Sequence, residues 1–433
     1  MSMLRLGLRQ LGDTGASYPY HDGIGLDFSK GIFYVRPTGG DVTQGALTSL
    51  FTFTGGNESM YLTSSGLLQS ASTNTPRIEY DSSGNCLGLL MEASRTNLFL
   101  QSQTLDNASW TGTRASAANT TSPLAPDGSQ TADAISEDGS AANDHLMFQN
   151  VTYANATAYT ISVWAKAANR SWLIIQLGAA AFTTTPTASF NLATGVVGTI
   201  TGTATSTITA YQNGWYRCTM TSTSTAASAA SSRFYVGESD NDATFDGLSQ
   251  VSLYLWGAQV EAGAFASSYI PTTTGSVART ADRCIRTLST EFNNSAGTVV
   301  VTGDVLNSVG ATPAILSLHN NAGTGAEEMI LYANAGARRW LVTDGSVAQG
   351  NVLAGSITDG VAGKMACVYT ANDLDLAVNG TMSGVQDTSA TLPTVTHLDL
   401  MRQDAAGSTF GHILTLDYYP LRLVNGFLTG ATS

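Results

Sequence analysis

PRIEYDSSGNCLGLLMEASRTNLFLQS, residues 76–102, is the stretch around which the rest of the sequence is organised. Residues 77–80, RIEY, alternate polar and apolar side chains as a half-buried strand does. Residues 81–85, DSSGN, predict a turn, because Asp and Asn satisfy nearby backbone groups and Gly tolerates a positive φ. Residues 87–92 are a short apolar run that predicts a buried strand.

The triplet Arg95-Thr96-Asn97 lies between that run and the apolar residues 98–100. A guanidinium between two apolar runs must find hydrogen-bond acceptors or reach water. We therefore expect Arg95 to pair with Glu92 or with backbone carbonyls and to fix the chain where the next domain begins. Arg77, Glu92, Arg95 and Asn97 are predicted to be structural, with a catalytic Arg–Glu pair as the alternative.

Composition argues against several function classes. The chain has a net charge of −13, and its few lysines form no basic cluster, so a nucleic-acid-binding face is not expected. Only 12% of the residues are charged while 43% are hydrophobic, a balance that suits β-structure with hydroxyl-covered outer faces. No segment resembles a membrane span, and nothing marks secretion. We expect a protein made in a cytoplasm and carried out on a particle.

The sequence predicts no catalytic residue. Glycoside hydrolysis needs two nearby carboxylates, and the nearest grouping, Glu79-Tyr80-Asp81, sits at a predicted strand-to-turn boundary and is interpreted as structural. The five histidines lack metal-binding spacing. The four cysteines are far apart, which favours buried free thiols, with disulfides as the alternative.

Calcium is the one ion that the sequence suggests. Asp240 and Asp242, together with Asp246, place hard oxygen ligands in one predicted loop. The alternative is that these are solvated loop carboxylates. No other cofactor is expected.

The pattern of short alternating segments predicts an all-β chain: an N-terminal attachment region followed by two β-sandwiches. Residues 1–102 form the attachment and oligomerisation region, residues 103–273 a jelly roll, and residues 286–433 a second, lectin-like sandwich. In the first region, residues 4–9 alternate and could add a strand to a neighbouring chain. Its apolar strands at 32–35 and 50–53 lack partners nearby, so either a partner chain buries them or they pack on the next domain.

Glycan binding needs exposed aromatic rings on which a sugar face can stack. The candidate rings lie near predicted strand ends, turns or, in one case, an arginine pair; they are Trp110, Trp172, Tyr211, Trp215 and Trp340. For the first four, a position in the core is the alternative; for Trp340, which follows Arg338 and Arg339, the alternative is a contact with another subunit.

Two motifs resemble tailed-bacteriophage virion proteins. Residues 76–98 match a pattern of the form PR-x-[ED]-YD…GLL-[IM]-E…RTNL, and residues 255–263, LWGAQVEAG, followed by 268–272, SYIPT, match a second block. In head-spike and tail-fibre proteins these blocks look like the edges of a carbohydrate-binding-module-like domain. Residues 411–423 resemble the last strand of laminin-G/concanavalin-like lectin domains, which a short turn, here 423–428, would follow.

The resemblance implies a virion fibre or spike protein that adheres to host-surface polysaccharide, assembles as a homotrimer and attaches to other virion proteins through its N-terminal region. Two alternatives stay open. One is a structural or decoration subunit that binds no sugar, and the other is a polysaccharide depolymerase.

Overall fold

The computed structural model describes residues 20–306, 313–384, 387–403 and 409–433. In these ranges the chain is almost entirely antiparallel β-structure, which confirms the predicted all-β class. The predicted strand at residues 4–9 lies outside the described residues. Within the described ranges, neither helix is long and apolar enough to cross a membrane.

The first part of the chain, up to residue 97, forms short strands and one helical turn, α1 (Leu47–Leu50). Its strands are β1 (Gly23–Asp27), β2 (Ile32–Arg36), β3 (Thr43–Gln44), β4 (Thr52–Thr54), β5 (Met60–Leu62), β6 (Leu68–Ser70), β7 (Arg77–Tyr80), β8 (Cys86–Met91) and β9 (Arg95–Asn97).

The middle part contains longer strands and a 3-10 turn at Gln212–Gly214. Its strands are β10 (Thr111–Thr113), β11 (Ala115–Thr120), β12 (Ala132–Glu137), β13 (Asn143–Asp144), β14 (Leu146–Tyr153), β15 (Ala158–Ala167), β16 (Trp172–Leu177), β17 (Thr187–Asn191), β18 (Val196–Thr201), β19 (Thr205–Ala210), β20 (Tyr216–Thr223), β21 (Ser228–Gly237), β22 (Thr244–Phe245) and β23 (Val251–Ala262).

The last part ends in a helix, α2 (Asn425–Thr432), where the sequence predicted only a short turn at 423–428. Its strands are β24 (Val277–Arg279), β25 (Arg283–Thr287), β26 (Ala296–Val305), β27 (Ala314–His319), β28 (Glu328–Asn334), β29 (Ala337–Asp344), β30 (Val347–Ser356), β31 (Gly363–Thr370), β32 (Asp373–Val378), β33 (Thr381–Met382), β34 (His397–Leu400) and β35 (Gly411–Tyr419).

Strands from both ends of the chain build one sandwich, which we call the outer sandwich. One sheet runs β3-β2-β1-β35-β26-β31-β32-β33, with β8 also pairing with β35 and β7 with β8; the other runs β30-β29-β28-β27-β34-β25-β4. Their inner faces share one core, to which Ile24 and Leu89 from the first part contribute beside Val301 and Trp340 from the last. Side chains that alternate in and out along each strand produce this shared apolar layer.

Several strands of residues 20–91 are therefore paired with, and covered by, later parts of the same chain. β1 pairs with residues 415–418 of β35, and β8 pairs with residues 411–413 of the same strand. Gly88 permits the second contact, because a Cβ at its positive φ of 118° would lie 2.2 Å from the Ile413 carbonyl oxygen.

Val35, Phe51 and Phe53, from the predicted strands at 32–35 and 50–53, lie in the shared core of the outer sandwich. Of the two alternatives, burial by a partner chain is therefore wrong, and these strands pack on the last part of their own chain. The attachment role of residues 1–102 stays a prediction.

A second sandwich, the inserted sandwich, is nested within the outer one. Its two six-stranded sheets run β10-β14-β21-β16-β17-β18 and β11-β12-β23-β15-β20-β19 and enclose their own apolar core. The chain enters it through β9 and leaves through β24, and these two strands pair with each other from Asn97↔Val277 to Arg95↔Arg279. A two-strand ribbon therefore joins the two sandwiches.

Four buried charged residues, the junction quartet, hold this ribbon. Arg77 donates to Glu92 Oε2 at 2.6 Å and also pairs with Asp282, while Arg279 lies 2.9 Å from the same Glu92 oxygen. All four side chains are at most 2% exposed. Burial alone would raise the pKa of Glu92, but Arg279 and Arg77 outweigh it and lower the pKa to about 2.

Asn97, the last residue of the triplet at 95–97, joins the beginning of the inserted sandwich to its end. The buried Asn97 amide donates to the carbonyls of Ala258 and Ile270 at 3.1 and 2.9 Å. The expected pairing of Arg95 with Glu92 or with backbone carbonyls is wrong among the described residues. Arg95 lies 3.5 Å from Glu261 and stacks over Phe410 of the outer sandwich, because Glu92 is already held by two other arginines.

A third contact between the sandwiches is apolar. The hairpin of β5 and β6 places Met60, Leu62 and Leu68 on a buried cluster that includes Trp164 and Trp256 of the inserted sandwich. The hairpin therefore covers one end of the sheet face formed by β15, β20 and β23.

His412, on β35, forms a further buried ionic contact beside the junction. Its Nδ1 lies 2.8 Å from Asp304 and its Nε2 lies 2.9 Å from Glu79. Burial would lower the pKa of His412, but the hydrogen bonds to these two carboxylates outweigh it and raise the pKa to about 10. The imidazole is therefore charged at neutral pH.

We expect Arg77→Met to destabilise the protein by roughly 3–5 kcal/mol, because it leaves buried carboxylates without their cation. The matched control is Arg36→Met, which removes a pair with Asp22 in which both side chains are about one-third exposed, together with hydrogen bonds to the Tyr20 and Gly40 carbonyls. Because these groups remain open to water, the variant should cost no more than about 2 kcal/mol. Urea unfolding of the full chain, followed by tryptophan fluorescence, measures both. Equal small losses would contradict a stabilising role for the quartet.

We expect the stabilisation from His412 to be complete below its ordinary pKa of 6.5 and to be lost as the pH rises through about 10, since the folded state holds the proton more tightly. At about 1.4 kcal/mol per pKa unit, the loss is on the order of 3–5 kcal/mol. Thermal unfolding between pH 6 and 10 should show this decline in the wild type. The fall in stability should be much smaller in His412→Gln and as large as in the wild type in the control His21→Gln. A fall in His412→Gln as large as that of the wild type would exclude His412 as its cause.

Candidate functional site

A cleft opens where the inserted sandwich meets the outer one. It consists of two adjoining cavities of about 300 and 270 Å³, which share Thr209, Tyr211, Arg217, Ala266 and Leu306. We call the larger the hydroxyl pocket and the smaller the turn pocket. Because Leu306 belongs to the outer sandwich and the other four to the inserted one, the cleft exists only when both are docked.

The hydroxyl pocket lies on the outward face of β19 and β20. Its threonines are related by the antiparallel register, in which Thr205 opposes Thr221 and Thr207 opposes Thr219. Because side chains alternate along a strand, this register places every second residue of both strands on the same face. The next position in this array pairs Thr209 with Arg217.

Some of these hydroxyls bond to one another and others are available. Thr207 and Thr219 share a hydrogen bond of 2.6 Å, whereas Thr205 and Thr209 make no side-chain hydrogen bond to the described residues. Since Thr205 and Thr209 are exposed, their hydroxyls can donate to and accept from a ligand.

Tyr211 stands where the two cavities meet. Its ring packs edge-on against Trp164 with centroids 5.6 Å apart, and burial raises the pKa of its hydroxyl. The phenol is therefore protonated at neutral pH and can donate a hydrogen bond. Of the aromatic residues predicted as sugar platforms, Tyr211 is the one that lines this cleft.

The turn pocket carries three carboxylates, each already engaged. Glu79 bonds to His412, and Glu92 belongs to the junction quartet. Asp81 caps its own turn by accepting from the backbone N–H groups of Ser83 and Asn85 at 2.9 Å. These contacts hold the walls of the cleft in place.

The other aromatic candidates lie elsewhere. Trp110, Trp215 and Trp340 are at most 5% exposed and belong to apolar clusters, so their expected role as exposed platforms is corrected to a role in packing. Trp215 donates its indole N–H to the Leu124 carbonyl at 2.9 Å. Trp172 is half-buried on β16 in the opposite sheet, against Gly198.

The suggested calcium ligands do not converge. Asp240 accepts from the backbone N–H and hydroxyl of Thr199, Asp242 from the backbone of Thr244, and Asp246 from the backbone of Ala142. Over the described ranges, no group of three or more His, Cys, Asp or Glu residues could hold a metal ion. The predicted calcium site is therefore wrong for these residues, whose carboxylates instead stabilise loops.

Neither a family model nor a curated protein matches this chain. Among solved structures, the CBM40 module of the Ruminococcus gnavus IT-sialidase bound to alpha2,3 sialyllactose is 22% identical over 33% of this chain and 84% of its own, with a TM-score of 0.29. Trypanosoma rangeli sialidase is 12% identical over 70% of this chain and 60% of its own, also with a TM-score of 0.29. At such scores these likenesses assign neither a family nor a residue role.

Proposed function

We propose that this chain is a fibre or spike protein of a phage virion that adheres to host-surface glycan through the junction cleft. The observation that carries the proposal is the array of threonine hydroxyls beside Tyr211 in a concave site. Sugars present many hydroxyls and an apolar ring face, so a polar cavity with an aromatic wall offers complementary chemistry. The virion origin rests on the resemblance of residues 76–98 and 255–272.

The proposed activity is binding without cleavage. Hydrolysis of a glycosidic bond requires one carboxyl group to donate a proton and a second to act as base or nucleophile. In the turn pocket, Glu79, Asp81 and Glu92 are all committed to structural hydrogen bonds or ion pairs. Incubation with host polysaccharide should therefore release no reducing ends, and their release would favour the depolymerase alternative.

The assembly that we propose is a homotrimer carried on the virion, with residues 1–102 facing other virion proteins. This part of the proposal follows the resemblance. Size-exclusion chromatography of the purified chain with multi-angle light scattering measures the number of copies, and a stable monomer at micromolar concentration would exclude the trimer.

We expect the double variant Thr205→Val/Thr209→Val to weaken binding to host polysaccharide about tenfold, since two hydrogen bonds of about 0.5–1.5 kcal/mol each are lost. Valine has nearly the shape of threonine and favours strands, so the fold should be retained. Binding of the full chain to immobilised polysaccharide measures the loss.

The matched control is Thr152→Val/Thr201→Val, which changes two exposed threonines in the opposite sheet of the inserted sandwich. This control should bind as the wild type does. If the wild type binds no host polysaccharide but is incorporated into virions, the structural or decoration alternative is favoured. Equal losses in both double variants would show that the cleft is not the site.

A further inference from the structure

The charge of the hydroxyl pocket differs from that of the whole chain. The chain carries a net charge of −13, yet among the described residues lining this pocket, Arg217 is the only one with a formal charge. The remaining lining consists of hydroxyl-bearing side chains and a few apolar residues, including Phe265 and Leu306. A ligand here therefore meets one cation surrounded by neutral donors and acceptors.

Arg217 is held in place by neutral groups. Its guanidinium lies 4.5 Å from the centre of the Trp164 ring, and Nη2 donates to the Ser162 hydroxyl at 3.2 Å and the Ser267 carbonyl at 2.8 Å. Its Nε is buried and lacks a hydrogen-bond partner. Within the described part of the chain, no carboxylate lies within ion-pair distance of Arg217, although Arg77, Arg170 and Arg279 all have one.

This arrangement favours an anionic ligand. An arginine side chain stays charged at physiological pH. Because Nη2 already donates twice and Nε is buried, Nη1 is the donor that can reach a carboxylate oxygen of a ligand. Stacking on Trp164 fixes the plane of the guanidinium before any ligand arrives, which reduces the entropy lost on binding. A volume of about 300 Å³ is at the small end for ligand pockets and suits a single sugar unit.

We propose that the hydroxyl pocket recognises a sugar unit bearing a carboxylate, such as a uronic acid within a host polysaccharide. Arg217 holds the carboxylate, and Thr205 and Thr209 bond the ring hydroxyls. The inference rests on the proposed glycan-binding function and specifies its substrate class. It also accounts for how a strongly acidic protein adheres to an acidic polymer: the attraction is local to one pocket.

The test is calorimetric titration of the full chain with an oligosaccharide containing glucuronate and with the same oligosaccharide after its carboxyl groups are reduced. We expect the wild type to bind the acidic form at least about tenfold more tightly, because one charge-assisted hydrogen bond typically changes an affinity by that factor or more. Arg217→Gln should bring the ratio of the two affinities close to one, whatever it does to the affinity for the reduced form.

The matched control is Arg233→Gln. Arg233 is half-buried on β21 of the opposite sheet, donates to Gln176 and Tyr235, and has no carboxylate within ion-pair distance among the described residues. This variant should keep the preference. Arg217→Lys keeps the positive charge and should retain part of the preference. It provides a second measurement if Arg217→Gln lowers the melting temperature.

The outcomes separate the two proposals. Equal affinity of the wild type for both forms, or an undiminished preference in Arg217→Gln, would overturn the acidic-sugar inference while glycan binding stands. Failure to bind either form, combined with failure to bind host polysaccharide, would overturn the proposed function and this inference with it.

Discussion

The structure depends on a set of buried charges at the point where one sandwich interrupts the other. Arg77 and Glu92 lie before the inserted sandwich, and Arg279 and Asp282 lie after it. Removing such groups from water is costly, so the contacts are stable only when every member is in place. Because the four residues come from both sides of the insertion, satisfying them fixes the separation and direction of the strands that cross between the sandwiches.

The same interaction shapes the cleft. Ser268, which lines the turn pocket, donates its hydroxyl to Glu92 at 2.6 Å and its backbone N–H to the other carboxylate oxygen at 2.9 Å. The neighbouring residues 264–266 form one wall of the hydroxyl pocket. The contacts that join the two sandwiches thus also position the loop that forms one wall of the candidate cleft.

Periodicity in the sequence located strands well and their partners poorly. The strands predicted at residues 77–80 and 32–35 fall within β7 and β2, because the pattern of side chains is a local property that each segment carries by itself. That β1 and β8 pair with β35 could not be read from the same pattern, since pairing depends on residues more than 300 positions away. For this reason the sequence pattern predicts two consecutive sandwiches, whereas the structure nests one within the other.

The candidate site was only partly predictable. The position of Tyr211 near a strand end is enough to make it a candidate. The sequence does not distinguish a buried tryptophan such as Trp215 from an exposed one, because its burial depends on the distant hairpin of β5 and β6. The alternating threonines of residues 203–209, TATSTIT, are visible in the sequence but were not interpreted as a binding face. Arg217 is a candidate ligand contact because no carboxylate among the described residues lies within ion-pair distance of it. A sequence alone does not show which arginines lack such a partner.

The nested connectivity also has a consequence for biosynthesis. The inserted sandwich is one continuous segment, so it can complete its core on the ribosome as soon as β23 has emerged. The outer sandwich must wait for β35, and until then β1 and β8 have unpaired edges that invite association with other nascent chains. A cell that produces this protein therefore has to protect those edges for most of translation, and slow late synthesis or scarce chaperones would reduce the yield of correctly folded protein.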